Sequence, residues 1–190
     1  NVENLSIAGG AERMPAFGRV IVGELGSPAI VALEGIQDDS GTADDGVVTA
    51  RATLEAFREA IASSGGPRYE TVGIDPENRR DGGQPGGNIR VALLFDPRRV
   101  ELVRRGVAGA RDSTAVSGSG SKTALTLSPG RIAASSPAFD IRSGEGVRKS
   151  LAAEFRVGKS TLFVVANHLS SKWDDDRLFG ARQPPVAPTG

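Results

Sequence analysis

Apolar residues recur at helical spacing early in the chain and at strand spacing later. Over positions 11–25, Met14, Phe17, Val20, Ile21 and Leu25 keep close to the three- and four-residue steps of one helix face, and Gly26-Ser27-Pro28 stops the run. Ala29-Ile30-Val31-Ala32-Leu33 is continuously apolar and follows turn residues, which suits a short strand covered on both faces. Glu34 comes directly after it, and the polar stretch 37–46 reads as a loop. Positions 47–63 predict a second helix, with Val48, Ala52, Leu54, Ala56, Phe57 and Ile61 as its buried stripe.

Strands dominate from there on. Positions 69–74 and 89–95 read as strands on either side of a polar, Gly-rich loop, and Asp96-Pro97 ends the second of them. Positions 100–103 read as extended chain, and 108–121 as a small, polar, flexible excursion around Gly118-Ser119-Gly120. Ser128-Pro129-Gly130-Arg131 is a turn between Leu127 and Ile132. Positions 151–157 and 161–166 predict two strands joined by the hairpin signal Gly158-Lys159-Ser160, with a long loop over 168–180. Two early helices followed by strands predict one α/β domain over 1–190, a layered architecture with a mixed sheet.

Composition narrows this little. The 190 residues suffice for one sizeable core. Lys+Arg and Asp+Glu are 23 each, so bulk charge does not coat a polyanion, although a local basic groove stays open. With no Cys, disulfides and Cys-ligated zinc are out. No apolar run reaches membrane-spanning length, so no membrane partner is expected. The chain opens at Asn1 rather than Met and closes on Gln183-Pro184-Pro185-Val186-Ala187-Pro188-Thr189-Gly190. Both ends read as points inside a longer polypeptide.

Candidate chemistry lies at strand ends, where ligands gather in layered α/β folds. Glu34 follows one strand, and His168, the single histidine, follows another. Position alone favours bland readings, a solvated boundary carboxylate and a hydrogen-bonded imidazole. The segment Arg79-Arg80-Asp81-Gly82-Gly83-Gln84-Pro85-Gly86-Gly87-Asn88-Ile89-Arg90 combines glycines that let backbone approach a ligand with donors, Asn88 and Arg90, that suit phosphate oxygens. Its bland reading is a loop that needs glycine for its turns. Gly158-Lys159-Ser160 imitates a nucleotide-binding P-loop, but Ala153 stands where that motif needs a glycine, and strands flank it on both sides.

Taken in order, these segments resemble the endonuclease/exonuclease/phosphatase superfamily, and most of all its secreted bacterial nucleases. The likeness is carried by Asn1-Val2-Glu3-Asn4-Leu5, Ile30-Val31-Ala32-Leu33-Glu34-Gly35-Ile36-Gln37-Asp38, Asp81 through Ala92, Leu127-Ser128-Pro129-Gly130-Arg131-Ile132, Leu151-Ala152-Ala153-Glu154-Phe155 and Ala166-Asn167-His168-Leu169-Ser170-Ser171-Lys172. Leu178-Phe179-Gly180 and Gln183-Pro184-Pro185-Val186 continue it. The resemblance implies a deoxyribonuclease-like fold, a layered α/β sandwich of mixed β-sheets with outer helices. It implies hydrolysis of a phosphodiester in DNA or RNA by a divalent metal, Mg²⁺ first and Ca²⁺ or Mn²⁺ as alternatives, in an extracellular enzyme. Glu34 and Asn1 match the family's metal-binding positions, and His168 matches its first histidine, which gives a proton or hydrogen bond to the phosphate or leaving oxygen. Asn88, Arg90, Asn167 and Lys172 are expected to hold phosphates, by residue type and motif position.

The family's later Gly-Asp-x-Asn segment and C-terminal Asp-His pair do not occur in these 190 residues, and Trp173 stands where a small residue is commoner. The resemblance therefore implies an N-terminal portion, inactive alone, with an unpaired edge on its second sheet where the missing C-terminal half of the domain belongs. Two alternatives stay open. One is another phosphoesterase of the same superfamily, acting on a phospholipid or an inositol phosphate. The other is a non-catalytic fragment that only binds nucleic acid or phosphate.

Overall fold

The computed structural model describes residues 1–81, 84, 86–136, 139 and 148–169. Its first residues lie along the end of strand β1 (Ile30–Ile36): Val2 N donates to Glu34 O and Leu5 N to Gly35 O, both at 2.8 Å. Val2 and Leu5 are buried there. The helix expected over 11–25 is three helical pieces end to end, a 3-10 turn Ala11–Arg13, helix α1 (Met14–Arg19) and a π turn Val20–Glu24. Gly18 lets α1 lie against helix α2 (Arg51–Ser63), since a Cβ at Gly18 would stand 2.6 Å from Ala60 O.

Helix α2 starts four residues later than its periodicity suggests. Asp39, from the preceding loop, accepts from Ala52 N at 3.1 Å and Thr53 N at 2.8 Å, and so caps the helix at a distance. Val47 O is drawn away to Asn88 Nδ2 at 2.7 Å. Val48 therefore lies outside the helix, and Thr53, Phe57 and Ile61 form its buried line at four-residue steps.

Seven-residue β1 is one side of an antiparallel sheet of order β1-β3-β2, where β2 is Glu70–Val72 and β3 is Arg90–Phe95. A second antiparallel sheet joins β4 (Glu101–Val103), β7 (Gly130–Arg131) and β8 (Leu151–Val157), with β9 (Ser160–Ala166) on the other side of β8. Between them in sequence, β5 (Val116–Ser117) and β6 (Ala124–Leu125) make a two-stranded ribbon. The excursion expected over 108–121 is thus partly paired. Every pairing between these strands is antiparallel; the parallel pairs are isolated bridges, Leu5 with Ile36 and Ser113 with Arg131. The expected mixed sheets are in this sense antiparallel ones.

Central strand β3 is buried along its whole length and serves two cores. Leu94 packs with Val2, Leu5, Met14, Leu33, Phe57 and Ile61 on the helical side. Val91, Leu93 and Phe95 pack with Leu102, Leu151, Ala153 and Phe155 of the second sheet. The Phe95 and Phe155 rings meet edge to face with centroids 5.5 Å apart, a contact worth about 1 kcal/mol beyond the area it buries. The order of layers is helices, sheet, sheet. The β8–β9 hairpin turns on Gly158-Lys159, with Val157 opposite Ser160 and Gly158 at φ 59°, so this Gly-Lys-Ser is a turn. Among the described residues, no helix is long and apolar enough to cross a membrane.

Candidate active site at one end of the two sheets

Antiparallel pairing brings the end of β1, the start of β3, the start of β8 and the end of β9 to the same end of the structure. Glu34 faces Val91, and Leu151 faces Ala166. Strand β1 continues through Glu34 to Ile36, past a bulge at Gly35, whose φ is 77°. Glu34 shares its side of the sheet with Val91, the side that meets the second sheet, and it is half-buried.

Asn1 reaches the same place. Its backbone neighbour is held by the Val2–Glu34 bond, and a Cβ on Gly35 would stand 3.0 Å from Asn1 Oδ1. Asn1 Nδ2 lies 3.5 Å from His168 Nε2, at the long limit of a hydrogen bond. His168 follows β9 and is 8% exposed. Burial first, and then the Arg148 guanidinium, lower its pKa to about 4. The ring is neutral at pH 7. With Nε2 accepting from Asn1, the ring proton sits on Nδ1, which is buried and has no hydrogen-bond partner among the described residues.

Arg148, which the sequence did not single out, lies within charge range of Glu34 and His168. Burial lowers its guanidinium pKa, and the Glu34 carboxylate opposes that shift. It is half-buried, and its Nε has no partner among the described residues. One signal was present: a β8–β9 hairpin paired at Leu151 and Ala166 carries Ser150 and Lys149 across from Asn167 and His168, with Arg148 one residue beyond. Ser150 Oγ indeed donates to Asn167 Oδ1. Asn167 itself is exposed beside His168.

The other expected residues fall differently. Asn88 is buried and spends its amide within the protein. Its Nδ2 faces Asp38 Oδ2 at 2.9 Å and Val47 O at 2.7 Å, and its Oδ1 accepts from Arg79 N at 2.9 Å. Arg90 is 1% exposed, pairs with Ile36 on the helix-facing side of the sheet, and engages Asp75 and Asn88 O. Both donors therefore shape the loop next to the site, and neither points at Glu34. Lys172 and Trp173 lie outside the described residues.

Glu34 and Asn1 offer one carboxylate and one amide oxygen, hard donors of the kind Mg²⁺ takes while keeping most of its waters. The set fits in kind and is small in number. No group of three or more His, Cys, Asp or Glu is gathered for a metal among the described residues. No protein-family model matches this chain, and no curated protein is significantly similar to it.

Proposed function

We propose that this chain carries the metal- and phosphate-binding part of a divalent-metal-dependent phosphodiesterase of the endonuclease/exonuclease/phosphatase type, an extracellular nuclease acting on DNA or RNA. The observation that carries the reading is the contact of Asn1 with His168 beside the Glu34 end of β1, with the Arg148 charge near enough to act on Glu34 and His168. A carboxylate, an amide oxygen, a guanidinium and a neutral imidazole are the groups that phosphodiester hydrolysis uses.

Glu34 and Asn1 would hold the cation, which polarises a phosphoryl oxygen and offsets charge in the transition state. Arg148 binds the non-bridging oxygens of the phosphate, where its planar fork gives two parallel hydrogen bonds. His168, neutral at pH 7, would donate to a phosphate or leaving oxygen from Nε2, in the tautomer that gives up the long contact with Asn1 Nδ2, because Nδ1 is buried. Asn167, exposed beside His168, adds an amide to the rim. The sequence contains one histidine, and the proposal gives it the donor's part, so the base that activates the attacking water is another group.

Plasmid nicking tests the reading. The 190-residue chain and the longest natural polypeptide containing it are each assayed with Mg²⁺ and with EDTA. Nicking by the longer polypeptide alone, lost with EDTA and with Glu34→Ala, is the expected result. No cleavage of DNA or RNA by either, with Mg²⁺, Ca²⁺ or Mn²⁺ supplied, overturns the nuclease. Metal-dependent nicking by the short chain overturns the need for a second part.

A further inference from the structure

Three stretches of loop meet at the end of the first sheet away from Glu34. They are Gly26-Ser27 ahead of β1, Gly65-Gly66-Pro67-Arg68 between α2 and β2, and Asp96-Pro97-Arg98-Arg99 after β3. Together they line an open groove of about 710 Å³. Ile30 and Glu70 both face Phe95 at this end, whereas Glu34 faces Val91 at the other, about 14 Å further along β1. The groove is therefore no part of the Glu34–His168 site.

Its lining holds the guanidinium groups of Arg68, Arg98 and Arg99 and a single carboxylate, Asp96. Asp96 is 2% exposed, and both of its oxygens are taken. Oδ1 accepts from Arg98 N and Nε, each at 3.0 Å, and Oδ2 from Arg98 Nη2 at 2.9 Å. That fork holds Arg98 in place and does not use its Nη1. Arg99 Nη1 donates to Ser27 O at 2.8 Å, a neutral partner that cancels none of its charge. Arg68 lies 3.7 Å from Glu59 with both side chains more than half exposed, and such a surface pair holds a guanidinium weakly. The lining thus carries more positive charge than it neutralises, and Arg98 and Arg99 are oriented by bonds that leave donors over.

The walls leave room for a ligand. A Cβ at Gly26 or at Gly65 would meet nothing within 4 Å. Ser27 takes φ 53°, a left-handed backbone that residues other than glycine rarely adopt, and backbone held in that way clusters at ligand sites. Pro67 and Pro97 add apolar rings to the lining. Guanidinium forks match phosphate oxygens, and a cleft of this volume suits a small organic ligand.

We propose that this groove binds a phosphate ester of nucleotide size, its phosphate on Arg68, Arg98 and Arg99 and its sugar and base against Pro67 and Pro97. The site is independent of the chemistry proposed for the other end of the sheet.

Adenosine monophosphate, inorganic phosphate and adenosine, titrated separately into the isotope-labelled 190-residue chain without metal, test it by amide NMR. The monophosphate is expected to shift the amide signals of Ser27, Gly65, Arg68 and Arg99 in a saturable way, and to leave that of Gly35, next to Glu34, in place. Phosphate is expected to move the same signals at higher concentration, and adenosine to move none. Arg68→Glu with Arg99→Glu is expected to weaken the monophosphate by about tenfold or more, as the loss of charge-assisted hydrogen bonds does. Should that double variant not fold, Arg68→Glu alone, at a side chain 82% exposed, is expected to weaken it severalfold. Unchanged affinity in the folded variant, shifts confined to the Glu34 end, or adenosine binding as well as the monophosphate overturns the proposal. Phosphate binding as tightly as the monophosphate also overturns it, because the groove then reads an oxyanion alone. A failed nicking assay with these shifts as expected rejects the phosphodiesterase and leaves the groove standing.

Discussion

Asn1 Nδ2 and His168 Nε2 lie 3.5 Å apart, although 167 positions separate them in the chain. The contact exists because two independent pieces of sheet pairing deliver its ends. The bond from Val2 N to Glu34 O lays the first residues on β1, and the β8–β9 register carries His168 to the same end of the second sheet. At this length it orients the ring more than it binds it.

The titration of His168 follows from its surroundings. Its folded pKa of about 4 lies below the ordinary histidine value near 6.5. The unfolded chain therefore takes up a proton first as pH falls, and the stability present above about pH 6.5 is lost progressively down to about pH 4. Proton NMR of the single imidazole is expected to show a midpoint near 4 in the folded, metal-free protein. Arg148→Ala is expected to raise it, since the guanidinium is the second cause of the shift. A midpoint at 6.5 or above contradicts the burial described here.

Gly35 is where backbone conformation and the site meet. It sits at φ 77°, and a Cβ there would stand 3.0 Å from Asn1 Oδ1 and 3.2 Å from Asn4 N. Gly35→Ala is expected to cost about 1–2 kcal/mol from the left-handed backbone alone, with a further loss as the first residues are pushed off β1. Gly23→Ala is the contrast, because nothing lies within 4 Å of its Cβ. It is expected to be neutral or slightly stabilising, by roughly 0.5 kcal/mol. Thermal melts of the two variants check the pair.

Glu154 is a buried carboxylate on β8 that takes a two-bonded fork from Arg105, Nε to Oε2 and Nη2 to Oε1, each at 3.0 Å. It also accepts from Leu125 N at 3.1 Å. The Arg105 bond leads the causes that hold its pKa below the usual carboxylate value. This stability is present above pH 4.5 and is lost as pH falls below it. Arg105→Met leaves the carboxylate without its cation. Because the Arg105 side chain is 42% exposed, the loss is expected to be smaller than that from breaking a fully buried pair. Urea melts at neutral pH measure it.

Legibility in the sequence followed the range of the forces involved. Strand β3 and the β8–β9 hairpin were readable, because apolar runs and a Gly-Lys turn are local signals. The start of α2 was not, because its cap, Asp39, comes from a loop more than ten residues upstream. The ribbon β5–β6 was hidden in Ser- and Gly-rich chain, since its pairing is held by Thr114 and Leu127 across the loop. Glu34 and His168 were singled out as following strands; His168 does follow β9, whereas β1 runs on through Glu34 to Ile36. Arg148 was missed for want of the hairpin's register, and the inward commitment of Asn88 and Arg90 depends on Asp38 and Asp75, partners that residue type does not reveal.

The central claim, that Glu34 and Asn1 hold a divalent cation next to His168, is tested most directly with Mn²⁺. This paramagnetic ion stands in for Mg²⁺ and broadens proton signals close to it. Titrated into the folded chain, it is expected to broaden the His168 ring protons first, to be competed off by excess Mg²⁺, and to lose most of this effect in Glu34→Ala. Ring signals that stay sharp while resonances elsewhere broaden, or broadening that is unchanged in Glu34→Ala, would contradict the account.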